Sequence, residues 1–189
     1  MKLTSQEEYG LRCILSLARQ EVDSGEDEPG QTTSTIAQIA EREGLSTEYA
    51  GKLMGILTRA GLVESVRGRN GGYRLARPAA EIRVSEALAV LGDKLYRPSE
   101  TCDRFSGEGS FCVHSNTCSI RSMWSGLQLL IDSVLSRTTL QDLVSTHERN
   151  MNEWMRAQFE ALAEVVSKEK PFAGAGMGRV TLITPGSGR

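Results

Sequence analysis

Between residues 34 and 78 the chain is punctuated so densely that few folds remain open to it. Ser34 or Thr35 can cap a helix whose apolar positions are Ile36, Ile39 and Ala40, and Gly44 stands where a left-handed residue would end it. Ser46-Thr47 then opens a second helix, running to about Ala60, with Leu53, Met54 and Leu57 on its inner face and Gly61 as its stop. Two capped helices joined by a short Gly-containing turn outline a helix-turn-helix. Directly after it, Leu62-Val63-Glu64-Ser65-Val66 reads as a strand, Arg67-Gly68-Arg69-Asn70-Gly71-Gly72 as a turn, and Tyr73-Arg74-Leu75-Ala76 as a second strand closed by Pro78. A β-hairpin appended to a helix-turn-helix makes a winged helix, so the expected fold class is mainly α with one small hairpin.

Charge sharpens this reading. Across 189 residues, 22 Lys and Arg face 24 Asp and Glu, a formal charge of −2, so affinity for a polyanion must come from a local patch. One exists: from Lys52 to Arg77 there are six basic residues (Lys52, Arg59, Arg67, Arg69, Arg74, Arg77) and a single acid, Glu64. A Gly-rich tip carrying Arg67 and Arg69 is narrow enough to approach the sugar-phosphate chain or enter the minor groove of double-stranded DNA. The first turn of the second helix, with Ser46, Thr47, Glu48 and Tyr49, would face the major groove. Lys52 one turn on, and Arg59 at the helix end, would reach phosphate or guanine. Gly51 offers no side chain there. The bland alternative is an exposed charged hairpin with no ligand.

Four cysteines are present, and no apolar run approaches the ~18 residues of a membrane span. The N-terminus lacks a signal-peptide pattern, so a cytoplasmic chain with reduced or metal-bound thiols is expected, and no membrane partner. Cys102, Cys112 and Cys118 are spaced C-x9-C-x5-C in a Gly- and Ser-bearing loop. Soft thiolates on such a loop suit an iron–sulfur cluster, with one position left for another ligand. His114, between two of the cysteines, is a candidate for it. A metal-free thiol switch is the principal alternative, and structural zinc is disfavoured by the absence of C-x2-C knuckles. Cys13, beside Ile14 on a helix over residues 3–20, reads as an ordinary buried thiol. Glu7 and Glu8 suit the first turn of that helix. The acidic segment 21–33 reads as a solvated loop, and His147 as solvent-facing.

Beyond the cysteines, Ile120, Trp124, Leu127, Ile131 and Val134 recur at intervals of four, three, four and three, the spacing of a coiled-coil seam, widened by Met123, Leu130 and Leu135. A stripe of this width predicts a homodimer, and two copies related by a two-fold axis would read a pseudo-palindromic operator. The expected organisation is a winged helix-turn-helix domain over 1–92, a cysteine-bearing loop over 93–119, a long dimerisation helix over 120–144, an extra C-terminal helix over 145–170 that packs on the dimer helices, and a mobile tail over 171–189.

Val66-Arg67-Gly68-Arg69-Asn70-Gly71-Gly72-Tyr73-Arg74-Leu75-Ala76-Arg77-Pro78 resembles the wing of the Rrf-type bacterial regulators, a family with IscR-like, NsrR-like and RirA-like branches. Met1-Lys2-Leu3-Thr4, Gly44-Leu45-Ser46 with Tyr49 and Leu53, Ser85-Glu86-Ala87-Leu88 and Thr138–Val144 resemble other parts of that family. The resemblance covers roughly residues 1–144. It implies a dimeric winged-helix transcription factor, usually a repressor, often controlled by a 2Fe–2S or 4Fe–4S cluster on three cysteines between the post-wing helix and the long helix. The interval between Cys102 and Cys112 is longer than the family pattern, so a bulge is expected there. In the IscR-like branch a His follows the last Cys by three residues, where this chain has Arg121. The chain thus matches the NsrR-like branch, which implies a carboxylate from the partner subunit's first helix, at the position of Glu8, as fourth ligand.

The resulting expectation is a repressor sensing iron, redox state or nitric oxide. The rivals are a metal-free, thiol- or partner-controlled regulator of the same type and an iron–sulfur electron carrier. No nucleophile–base pair or phosphate loop points to an enzyme.

Overall fold

The structure, a computed structural model, describes residues 3–24, 33–68, 71–92, 94, 96–106, 112, 114, 118–145 and 152–160. The first helix, α1 (Ser5–Ser24), is fixed at its start by two residues that need each other. Thr4 N and Oγ1 donate to Glu7 Oε2 at 2.7 and 2.6 Å, and Glu7 N donates back to Thr4 Oγ1 at 3.2 Å. This reciprocal box satisfies donors that the first turn would otherwise leave orphaned. Cys13, Ile14, Leu15, Leu17 and Ala18 are buried, and α1 packs against α2, α3, α4 and α7 (defined below). The helix outlasts the expected end at residue 20. Glu21 Oε1 accepts from Ala79 N at 3.1 Å, so the last turn is anchored to the segment after the wing, and the loop expected from Glu21 begins later.

Helix α2 (Ile36–Glu43) is capped by Thr35, whose hydroxyl accepts from Gln38 N while Gln38 Oε1 accepts from Thr35 N at 2.8 Å. Gly44 ends it at φ 66. Ser34, the other capping candidate, is fully buried, and its backbone exchanges two hydrogen bonds with Tyr73, at 2.9 and 2.8 Å. Helix α3 (Thr47–Arg59) is capped by Ser46, buries Ala50, Leu53, Met54 and Leu57, and is followed by Gly61 at φ 72. Strands β1 (Val63–Val66) and β2 (Gly72–Leu75) pair antiparallel from Val63↔Leu75 to Val66↔Gly72. The bridge to Ser34 brings β2 so near that a Cβ on Gly72 would lie 2.5 Å from Ser34 O, which is why that position is glycine. The wing is thereby fastened to the entrance of α2.

The chain continues through α4 (Val84–Leu91), α5 (Pro98–Arg104), α6 (Ser119–Arg137) and α7 (Leu140–Ser145). Two expectations are corrected here. Cys102 lies on the helix α5, started by Pro98 in its first turn, and not in an irregular loop. The helix expected to run from 120 to 144 stops at Arg137. There Val84 N donates to Thr138 O at 2.9 Å and Leu140 N to Ile82 O at 3.0 Å. Backbone pairing with residues 82–84 holds Thr138 extended and lets α7 bury Leu140 against the core. Leu135, expected in the outer seam, packs on that same core.

Residues Met1–Met151 form one compact unit and Asn152–Arg189 a second. In the second, residues 152–160 are helical, with Trp154 and Met155 half-buried. His147, the rest of the expected C-terminal helix and the tail over 171–189 lie outside the described residues.

Candidate nucleic-acid interface and candidate metal centre

The caps and packing of α3 decide what it presents. Its inner face is filled, so Thr47, Glu48 and Lys52 are exposed in the first turns and Arg59 at the end. Ser46 is exposed too, but its hydroxyl already accepts from Tyr49 N at 3.2 Å, leaving its own proton as the donor available to a ligand. A methyl group on Gly51 would meet no atom within 4 Å, so packing does not require glycine at that position. On the wing Arg67 is exposed, whereas Arg69 lies outside the described residues. Arg74 is held across the hairpin by Glu64 (3.0 Å) and Arg77 by Glu86 (2.7 Å). The basic patch is thus divided: two arginines are engaged with carboxylates, while Lys52, Arg59 and Arg67 have no carboxylate partner among the described residues. Fixed hydroxyls and unneutralised cations on one helix and hairpin suit a phosphate backbone.

Tyr49 connects this surface to α1. Its ring meets Tyr9 edge-on, with centroids 6.2 Å apart and planes at 81°. The Arg12 guanidinium lies 5.3 Å over Tyr9, and its Nε donates to Glu43 Oε2 at 2.9 Å. The Glu43 hydrogen bond holds the Arg12 pKa above its ordinary value, with a smaller contribution from Glu8. Arg12 and Glu43 were not singled out from sequence, because nothing local marks a pair 31 positions apart. Of the two adjacent carboxylates on α1, Glu7 is buried and committed to Thr4, whereas Glu8 is exposed.

The three candidate cysteine ligands are all half-buried free thiols. Cys118 is the N-cap of α6, its Sγ accepting from Arg121 N at 3.3 Å. The Arg121 pKa is held above its ordinary value chiefly by Cys102, with Cys118 contributing. The Nε of Arg121 is buried without a hydrogen-bond partner. The phenol of Tyr96 is pushed up chiefly by burial and then by Cys102. Two of the three sulfurs thus bear on Arg121: Cys118 on its backbone N–H, and Cys102 as the main influence on its guanidinium. Among the described residues no group of three His, Cys, Asp or Glu side chains is assembled, so Cys112, His114 and Glu8 are not brought into that pair. His114 is exposed, and most of the segment around Cys112 lies outside the described residues. Two soft sulfur donors beside an orphaned buried N–H fit part of the donor set of an iron–sulfur cluster, since inorganic sulfide accepts such a hydrogen bond. Cys13 behaves as expected: it is fully buried, and desolvation pushes its thiol up to about 11.

The approach to α5 is tied to α6. Tyr96 N donates to Gln128 Oε1 at 2.9 Å, Gln128 Nε2 to Asp132 Oδ1 at 2.9 Å, and Lys94 pairs with Asp132 at 2.9 Å. The Tyr96 ring lies 6.4 Å from Trp124. Gln128, unremarked in the sequence, is the buried residue of α6. Outside it, Ile120, Met123, Trp124, Leu127 and Leu130 lie exposed in a stripe. No helix among the described residues is long and apolar enough to cross a membrane.

Comparison with known proteins bears on both surfaces. The family model described as "Rrf2: Iron-dependent Transcriptional regulator" matches residues 3–146. The HTH-type transcriptional regulator IscR of Cereibacter sphaeroides is 31% identical over 149 residues, covering 79% of this chain and 90% of that protein. Among solved structures, T. potens IscR is similar with a TM-score of 0.58 at 29% identity, covering 77% of this chain and 87% of the other. The oxidised form of Staphylococcus aureus CymR gives 0.57 at 31%, covering 78% and 99%.

Proposed function

The chain belongs to the Rrf2 family of helix-turn-helix transcriptional regulators, not to an enzyme family, and on that premise we propose that it is a homodimeric, cytoplasmic repressor controlled by an iron–sulfur cluster. The cluster is held by Cys102, Cys112 and Cys118, with Glu8 of the partner subunit as fourth ligand and His114 as the alternative. The observation that carries the reading is the pair of half-buried free thiols, Cys102 on α5 and Cys118 capping α6 on the Arg121 N–H, with the Arg121 Nε buried and unpartnered at the foot of a helix whose outer face is bare and apolar.

A bound cluster supplies iron that oxygen, nitric oxide or chelators can attack, and an oxygen ligand leaves it more labile than four thiolates would. The protein's own residues do the rest. Cys102 and Cys118 join α5 to the start of α6, and Gln128 and Tyr96 fasten the approach. Glu8 sits one turn before Arg12, whose contacts run through Tyr9 to Tyr49 on the DNA-reading helix. Drawing Glu8 toward a metal alters the charges around Arg12, and a bias of a few kcal/mol between DNA-competent and incompetent dimers is enough for regulation. Ser46, Thr47, Glu48, Tyr49 and Lys52 meet the operator's major groove, and Arg59, Arg67 and Arg69 its backbone or minor groove.

Anaerobic purification tests this directly. The wild-type chain should be coloured, with iron and sulfide in equal counts, and Cys102→Ala, Cys112→Ala and Cys118→Ala should each be colourless. Fluorescence anisotropy on the chain's own promoter duplex should show affinity that falls steeply with salt and differs between holo and apo forms. Three coloured alanine variants would overturn the ligand set, and absence of DNA binding at low salt would overturn the regulator. A metal-free thiol switch is the second reading, favoured by two half-buried sulfurs near one cation and by the likeness to an oxidised CymR structure. It requires a colourless chain whose DNA affinity changes with a thiol oxidant alone.

A further inference from the structure

Arg121 stands where the IscR-like pattern has a metal-binding histidine, yet a guanidinium has no lone pair to give a metal. What it does have is a charge fixed across the accessible pH range and a rigid fork of N–H donors. Its backbone N–H is already taken by Cys118 Sγ at 3.3 Å, which pins the first turn of α6. The Arg121 Nε is buried and unpartnered, and Cys102 is the group that most raises the Arg121 pKa. A buried N–H without an acceptor costs about 1–3 kcal/mol, so such an atom marks a place where an acceptor belongs. No carboxylate among the described residues pairs with Arg121; the groups that raise its pKa are Cys102, Cys118 and, least, the Tyr96 phenol.

We infer that Arg121 is a positioning residue that hydrogen-bonds the sulfur of the bound cluster beside Cys102 and raises the cluster's reduction potential. The inference rests on the iron–sulfur reading above. Reduction adds one electron, taken from a reductant such as dithionite through a mediator, and the cluster becomes more negative by one charge. A fixed cation and an N–H donor at its sulfur stabilise the reduced form more than the oxidised one. Arg121 also accounts for a departure from the histidine pattern, because it exchanges a metal bond for an electrostatic one.

Spectroelectrochemical titration of anaerobically prepared wild type, Arg121→Gln and Arg121→Lys, each with its iron and sulfide count, tests this. At a fixed solution potential, Arg121→Gln should carry about tenfold less reduced cluster than wild type, about 59 mV for a one-electron couple. Arg121→Lys, which keeps the charge but not the fork, should recover part of that shift. Equal potentials in wild type and Arg121→Gln with full iron and sulfide would overturn the inference. So would folded Gln and Lys variants that both fail to retain a cluster, since that marks a structural requirement and not a tuning role. A wild-type chain that takes up no cluster at all instead defeats the iron–sulfur reading on which this depends, and the counts separate the two failures.

Discussion

The DNA-reading half and the α6 half of the first unit are finished to different degrees. From α1 through the wing and α4, helix starts are capped, turns carry left-handed glycines, and one continuous core runs from Ile14 through Leu53, Leu57 and Ile82 to Leu91. In α6, by contrast, Gln128 is the buried residue and six apolar side chains from Ile120 to Leu130, Leu129 among them, are exposed. Large apolar patches of that kind are uncommon on a lone soluble chain. The first half closes its apolar core within one copy, though Ser16 Oγ on α1 is buried without a partner; the second leaves an apolar face uncovered and the Arg121 Nε unpartnered. The apolar core that stabilises the fold therefore lies in the first half, and the surface left to be covered lies in the second.

Truncating one leucine in each half gives the largest separation between them. Leu57 is fully buried in the core, and Leu57→Ala should lower the unfolding free energy by about 2–5 kcal/mol in urea titrations. Leu130 is 43% exposed, and Leu130→Ala should stay within about 0.5 kcal/mol in a dilute monomeric sample. Its effect should appear in sedimentation as weaker self-association, and in a loss of concentration-dependent stability. If Leu130→Ala cost as much as Leu57→Ala in a chain that never associates, the stripe would be covered by this chain's own residues and the contrast would fail.

The same division governs how much could be read from sequence. Signals carried within four residues were legible: the Thr35–Gln38 box, Ser46, Gly44 at φ 66, Gly61, and the alternation that gives β1 and β2. Pairings between distant positions were not. Thr138 ends α6 because of backbone bonds to residues 82–84, and no residue in that stretch is a helix breaker. Arg12 meets Glu43, Tyr9 meets Tyr49, and Gln128 meets Tyr96, all across long sequence gaps. Of the site, the cations on α3 and the wing were visible as a cluster in sequence. Cys102 read as a loop residue although Pro98 and the Arg97–Glu100 pair mark a short helix there, and Arg121 registered as a missing histidine before it could register as a neighbour of two sulfurs.

A smaller effect sharpens the contrast inside the reading head. Gly51 lies within α3, where nothing packs against its missing side chain. Gly51→Ala should therefore raise the unfolding free energy by about 0.5–1 kcal/mol, because alanine removes the extra freedom glycine gives the unfolded chain. Thermal melts read this gain, and operator binding should survive it. A destabilised Gly51→Ala would mean that a neighbour fills the space, contrary to the open surface on that face of α3.

The smallest effect concerns the junction where the finished half hands over to the cysteine segment. Glu86 Oε1 accepts from Arg83 N at 3.0 Å at the start of α4, and its other oxygen pairs with Arg77 at 2.7 Å. The Arg83 backbone hydrogen bond, and then Arg77, hold this carboxyl below the usual glutamate value. A depressed folded pKa means that the contribution is complete above the unfolded pKa and disappears as pH falls through the lower, folded one. Because the pair is partly exposed, solvent screening limits it to about 0.2–1 kcal/mol. Glu86→Gln should therefore be slightly less stable than wild type at neutral pH, and the two should converge by about pH 2, where both carry a neutral side chain. A gap that persisted unchanged into acid would assign the loss to packing instead of charge, and would remove electrostatics from what holds the wing to α4.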